Sequence, residues 1–336
     1  MSETVDTKVR SARRSGSEFA PGVFRLPVLF VNVFLVREPG HPGVLVDTGL
    51  PWFGGGVRRK VEARLGGPPA AIVLTHGHFD HAGNAEELAD LWDVPIYAHP
   101  LELPFLTGRS DYPPHDPTVG GASGLLARGF PHHGFDLRRR VQALPADGSV
   151  PGLPGWSWLH TPGHTAGHVA LFRPSDRTLL VGDALATFDM SSALSLVTQR
   201  RELSLPPASF TTDWQTARTS VWDLAELRPR ALGAGHGRTV QGPKVAIDLA
   251  RLARVFAPPR RGRYVEHPAR TNAQGIVELP PPVHDPLPKQ LLLAGLTAGA
   301  LFALVQTLRS RSGSRRVRKA SKRELPSRPR YPRLRP

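Results

Sequence analysis

Thr75-His76-Gly77-His78-Phe79-Asp80-His81-Ala82-Gly83 decides how this chain is read. The stretch follows an apolar run, residues 71–75, short enough to be a buried strand. It precedes residues 84–92, where Ala85, Leu88, Leu91 and Trp92 recur at helical spacing. His76, His78, Asp80 and His81 therefore crowd into one strand-to-helix loop. Neutral imidazole offers a free lone pair, which makes His the commonest metal ligand. Gly77 gives the backbone room to turn two flanking His the same way. A single loop His is usually a solvated side chain. This cluster in this context points instead to a metal site.

Three more segments place a ligand type just past an apolar strand. Thr161-Pro162-Gly163-His164-Thr165-Ala166-Gly167-His168 makes a rigid turn that presents His164. His168 begins the next strand and is read as orienting that turn. Leu179-Leu180-Val181-Gly182-Asp183 ends a strand in a carboxylate, and Ala234-Gly235-His236-Gly237 holds a His between two glycines. Each of these is ordinary turn chemistry when taken alone. His99 is expected to close a turn. His115, His132 and His133 lie in a Gly-, Pro-, His- and Arg-rich excursion over residues 107–155, the kind of long loop that carries function.

Between these segments the pattern alternates. Residues 23–36 divide into two strands, 44–46 form a third that ends in Asp47-Thr48-Gly49, and 57–65 read as a helix. Strands are expected at 95–98, 156–160, 169–172 and 179–181, and helices at 216–227 and 244–256. Such alternation implies layered α/β architecture with helices covering packed sheets.

Taken together, HxHxDH followed by His, Asp and His at successive strand ends resembles the metallo-β-lactamase superfamily, from about residue 19 to 256. The resemblance implies a four-layer αβ/βα sandwich with a site of two divalent metal ions at one edge. It assigns His76, His78 and His164 to the first metal, and Asp80, His81 and His236 to the second. Asp183 would bridge both, and Asp47 would support a ligand from behind. It further implies a hydrolase that uses a metal-bridging hydroxide, with Asp80 helping to orient it. A bridging Asp is similar to the glyoxalase II, lactonase and phosphodiesterase branches more than to true β-lactamases.

The residue chemistry is compatible with this. The chain has no Cys, so any metal must be held by His and carboxylate. Oxygen and nitrogen donors suit Zn²⁺, and also Mn²⁺ or Fe. No G-x-S-x-G elbow supports a Ser nucleophile. The expected substrate is a small ester, thioester or lactone. A phosphodiesterase acting on nucleic acid is the main alternative. A mono-iron oxygenase would rely on His76, His78 and His164 and leave the second set idle. A non-catalytic adaptor would not need the set at all.

The formal charge of +15 first suggests a nucleic-acid partner. Its distribution argues otherwise. Residues 309–336 hold twelve Lys or Arg and one acid, or +11, which leaves +15 − 11 = +4 for residues 1–308. Residues 1–18 read as a disordered leader without the apolar core of a secretory signal. Residues 19–257 form the catalytic domain, and the Pro-rich stretch 258–288 packs on it in extended form. Residues 289–308 read as a hydrophobic helix, and 309–336 as a basic disordered tail. The run 291–308 would span about 27 Å as a helix, slightly short of a hydrocarbon core. The basic tail favours the cytoplasmic side and no leader is expected to export the enzyme, and an interfacial helix with its tail on anionic lipid satisfies both constraints. The expected location is cytoplasmic, peripheral to or anchored in a membrane through residues 289–336.

Overall fold

The computed structural model describes residues 17–285. A first sheet of seven strands runs in sequence order: β1 (Ser17–Ala20), β2 (Val23–Val28), β3 (Val31–Val36), β4 (Val44–Val46), β5 (Ala71–Val73), β6 (Ile96–Ala98) and β7 (Val141–Ala143). The second sheet has six strands. Its spatial order is β13 (Val240–Gln241), β12 (Ala231–Gly233), β11 (Thr178–Leu180), β10 (Val169–Arg173), β9 (Leu153–His160) and β8 (Ser149–Val150).

Strand alternation explains why these sheets stack as layers. Successive side chains of a strand point to opposite faces. On the first sheet, Leu35, Leu45 and Ile72 face one apolar cluster, while their neighbours Phe34, Val44, Val46 and Val73 face another. The second sheet behaves alike: Leu179 and Leu232 point one way, and Leu180 and Ala231 the other. The shared cluster lies between the sheets and includes Leu153, Trp156, Val169 and Leu171. Helices α1 (Gly54–Leu65), α2 (Phe79–Ala82) and α3 (Ala85–Trp92) supply Val57, Val61, Ala82, Leu88 and Trp92 to the outer side of the first sheet. Four more helices follow in the chain: α4 (Leu103–Leu106), α5 (Gly121–Ala127), α6 (Ala193–Thr198) and α7 (Trp214–Glu226). The last described helix is α8 (Lys244–Val255). Helices α7 and α8 cover the second sheet through Trp214, Val221, Leu224, Leu249 and Leu252. Three apolar layers thus separate four structural ones, and the αβ/βα sandwich follows.

Parallel pairing sets where the loops emerge. Strands β4, β5 and β6 run parallel, so the segments after β4 and β5 leave at one edge. Strands β11 and β12 are also parallel, which brings the segments after them to a common edge. A single bridge, Val31 to His236, and the hydrogen bond from Asn32 N–H to Gly235 O (2.7 Å) join the sheets at that edge. The Asn32 amide also donates to Ala234 O and Gly237 O.

Several elements differ from the sequence reading. Ser17 and Glu18, placed there in the leader, belong to β1 and pair with Arg25 and Phe24. Helix α1 begins three residues earlier than its apolar spacing indicates, at Gly54-Gly55-Gly56. Glycine is a poor helix former, but the Gly54 N–H is received by the Asn84 side chain at 3.0 Å. The excursion 107–155 contains α5, and it supplies β7 and β8, one edge strand for each sheet. Edge strands pair on one side only, so their sequence signal is weak. Within the Pro-rich segment, β14 (Arg270–Asn272) and β15 (Gly275–Glu278) form a hairpin, and Tyr264 is buried with the second-sheet cluster. Its hydroxyl donates to Pro114 O at 2.7 Å.

The expected hydrophobic helix at 289–308 and basic tail at 309–336 lie outside the described residues. Among the described residues, no helix is long and apolar enough to cross a membrane.

Leu171 is fully buried between the sheets. We expect Leu171→Ala to lower unfolding stability by about 2–5 kcal/mol, the range for emptying a well-packed core site. Denaturant titration should show a lower midpoint with an unchanged slope.

Candidate metal centre

All seven side chains singled out in the sequence converge at the edge where the sheets are joined, and all are buried. Their ligand atoms form three overlapping groups, each within 4.8 Å: His76, His78 and His164; His76, His81 and Asp183; Asp80, His81 and His236. His78 Nδ1 lies 3.1 Å from His76 Nε2 and 3.0 Å from His164 Nε2. Asp183 Oδ2 is 3.1 Å from His236 Nε2, 3.5 Å from His81 Nε2 and 3.6 Å from His164 Nε2. One carboxylate oxygen therefore reaches imidazoles of both outer groups. Asp80 Oδ2 lies 3.5 Å from His236 Nε2 and 3.9 Å from His81 Nε2.

Hydrogen bonds behind the rings determine which nitrogen faces inward. His81 Nδ1 is 2.8 Å from Asp47 Oδ2, and His236 Nδ1 is 3.0 Å from Phe30 O. His76 Nδ1 meets Thr75 Oγ1 at 3.1 Å, and His164 Nδ1 meets Thr211 Oγ1 at 3.4 Å. With the outer nitrogen engaged, Nε2 of each ring is left pointing into the cluster. Asp47 is itself held by the Thr75 N–H at 2.8 Å.

The electrostatics divide the cluster. Burial drives the pKa values of His76, His78 and His164 well below the ordinary histidine range, which keeps them neutral with a lone pair to share. Burial also opposes a charge on His81, but Asp183, Asp47 and Asp80 outweigh it and raise its pKa well above that range. His236 is raised in the same way against its own burial, chiefly by Asp183. Asp183 resists burial because His236 and His81 hold its carboxyl well below the usual carboxylate range. Asp80 is raised, chiefly by burial.

These residues fit divalent metal ions. His81 Nε2 and Asp183 Oδ1 are buried without a hydrogen-bond partner among the described residues. Buried polar atoms are rarely left so, unless something absent completes them. The donor set is entirely nitrogen and oxygen, and three of its imidazoles are neutral.

Asp47, expected from the sequence to support a ligand, does lie behind His81, but sequence reasoning missed other residues that support the cluster. Glu102 is fully buried and accepts from Gly77 N–H (3.0 Å), Gly167 N–H (2.9 Å), Thr165 Oγ1 (2.7 Å) and the Tyr112 hydroxyl. It ties the loop of His76 and His78 to the loop of His164. Burial raises its carboxyl pKa, opposed by hydrogen bonds from Tyr112 and Thr165 and from the Gly77 and Gly167 amides. His168 does more than orient its own turn. Its Nε2 accepts from the Asp183 N–H at 2.9 Å, and its Nδ1 lies 2.8 Å from Thr161 Oγ1. Burial pushes its pKa down to about 3, so it stays neutral.

Of the lesser histidines, His99 does sit at a turn, where its Nδ1 receives the Leu101 N–H at 3.2 Å, and it stacks on His160. His115 reaches the cluster, with its ring centre 5.9 Å from that of His78. His132 and His133 bond to backbone oxygens of Tyr112 and Gly134.

The chain is also similar in sequence to known proteins. Residues 26–236 match the family described as Metallo-beta-lactamase superfamily. The Bacillus subtilis (strain 168) protein named "Probable metallo-hydrolase YflN" is 45% identical over 254 residues, 74% of this chain and 95% of that protein. "Probable metallo-hydrolase YybB" from the same organism is 30% identical over 217 residues, 64% of this chain and 83% of that protein. A solved structure of TTHA1623 in a di-iron-bound form shares 27% identity and a TM-score of 0.44, covering 66% of this chain and 95% of that one. The chain belongs to the metallo-β-lactamase superfamily, a class that includes metallo-hydrolases.

Glu102→Gln would turn an amide N–H₂ toward donors that now meet a carboxylate. We expect a loss of about 1–3 kcal/mol, the cost of buried donors left without acceptors. Urea unfolding of chelator-treated protein should show it, because that loss does not depend on metal.

Proposed function

We propose that this protein is a dinuclear metal-dependent hydrolase acting on a small ester, thioester or lactone. The observation that carries the reading is Asp183, whose Oδ2 lies within 3.6 Å of His164, His81 and His236. A carboxylate so placed is suited to serve two ions at once. In this reading His76, His78 and His164 would hold one ion, Asp80, His81 and His236 would hold the other, and Asp183 would serve both. Zn²⁺ suits the set best, and Mn²⁺ or Fe is compatible with it. Divalent ions bound there would polarise a substrate carbonyl and activate water for attack near neutral pH.

The protein's own groups have separate tasks. Asp80 offers a carboxylate oxygen beside His236 that can take a proton from the attacking water and return it to the leaving alkoxide or thiolate. Asp47, Thr75, Thr211 and the Phe30 carbonyl keep the imidazoles turned inward, so the donors need no rearrangement during turnover. His168 and Glu102 fix the loops on which those donors sit.

Metal analysis of purified protein should find close to two equivalents per chain, and Asp183→Ala should lose at least one. A single tight equivalent unaffected by Asp183→Ala would overturn the dinuclear reading.

Asp80→Asn keeps the side chain's shape but removes its charge and its capacity to take a proton. Turnover should fall on the order of 10²-fold or more. The comparison should be run on ester, thioester, lactone and phosphodiester substrates. Unchanged turnover at full metal occupancy would remove Asp80 from the chemistry, and cleavage of the phosphodiester alone would replace the substrate class.

A further inference from the structure

We propose that Phe30, Phe79, Phe130 and Phe210 form a collar that binds an uncharged, apolar chain of the substrate. The compound cleaved would then be an ester, thioester or lactone with an alkyl or aryl substituent. The proposal rests on the hydrolase reading above and narrows it.

The four rings come from unconnected parts of the chain. Phe30 lies in the turn between β2 and β3, Phe79 opens α2, Phe130 follows α5, and Phe210 ends the 3-10 turn Ala208–Phe210. Phe130 is the hub. Its ring centre is 5.1 Å from Phe79, 6.0 Å from Phe210 and 6.1 Å from Phe30. The collar borders the polar cluster at two places. Phe30 stacks on His236 with centres 6.1 Å apart and planes 17° apart. Phe210 meets His78 at 6.1 Å, and His115 packs on Phe210 at 4.3 Å. His236 and His78 belong to different ligand groups, so the collar lies along both.

These rings are not explained by the core. Phe30 is 38% exposed, and Phe79, Phe130 and Phe210 are each partly exposed. Only Phe79 packs against one of the three apolar clusters. Apolar surface left in water is unfavourable. Where it borders a few converging polar groups, it has the composition of a small-molecule pocket. The contacts of the rings bear on the ligand class. Binding of single-stranded nucleic acid pairs aromatic stacking with a basic groove. Among the described residues, the Arg-on-ring contacts fall on Phe24, Trp156 and Tyr264, none of them in the collar.

Two measurements on the metal-loaded full chain test this. The first is calorimetric binding of the neutral amides butanamide, hexanamide and octanamide, which reports the collar without needing turnover. Affinity should rise by up to about fourfold per added methylene while the rings still have area to cover. The second is kcat/KM for p-nitrophenyl acetate, butyrate, hexanoate and octanoate, which should rise along the series. Phe130→Ala should cut the octanamide-to-butanamide affinity ratio about tenfold, and Phe130→Leu should cut it less. If Phe130→Ala melts early, Phe210→Ala makes the same test. A flat amide series, or a ratio unchanged in both alanine variants, overturns the collar. Chain-length-dependent amide binding without cleavage of any ester, thioester or lactone leaves the collar standing and removes the hydrolase reading. Ester cleavage with flat amide binding does the reverse.

Discussion

One buried carboxylate governs this site. Asp183 sits among imidazoles at the edge of largely apolar layers, and an isolated ion there would be strongly disfavoured. The backbone is shaped around it. Gly182 adopts φ +49°, and a Cβ at that position would come within 2.6 Å of His168 Nε2. A Cβ at Gly235 would run into Asp183 Oδ1 itself. His168 accepts the Asp183 amide and so fixes the direction in which the side chain leaves the strand. The parallel pairing of β11 with β12 then places His236 beside it.

The same constraint explains the unusual conformation of Asp47. Its φ of +62° is rare outside glycine, although Asp tolerates it better than most residues. The twist lets one carboxylate accept from the Thr75 amide and face the His81 ring. A polar site in an apolar sandwich thus depends on a second layer of hydrogen bonds, and much of the local backbone serves that layer.

What the sequence shows and what it conceals follow from this arrangement. His76, His78, Asp80 and His81 are legible because they are contiguous and flanked by strand and helix. Asp183 and His236 become legible only through their order after strands, since an Asp or His in a turn is commonplace. The unbroken apolar runs of β4 (Val-Leu-Val) and β5 (Ala-Ile-Val) expose the layering directly, because such strands must be covered on both faces. Glu102, Asn32 and Thr211 give no local signal, because each acts on a partner that only the folded chain brings near. Asn32, for instance, bonds to Ala234 and Gly237, more than 200 positions away. The start of α1 is hidden for the opposite reason: three glycines contradict a helix that contact with Asn84 stabilises. Phe130 looks like any loop aromatic until its three ring partners are known.

Glu102 has a consequence for how the molecule holds together. It follows a strand of the first sheet, yet two of its four donors, Thr165 and Gly167, come from the loop that joins β9 to β10 of the second. The seven-residue cluster likewise draws on both sheets. Separating the sheets would break up the cluster, and any ligand that binds only the assembled cluster acts as a clasp between them. Occupancy and global stability are therefore linked quantities: each tenfold rise in free ligand above its dissociation constant adds about 1.4 kcal/mol to the folded state. The chemical site doubles as a fastening, and resistance to unfolding becomes a readout of what fills it.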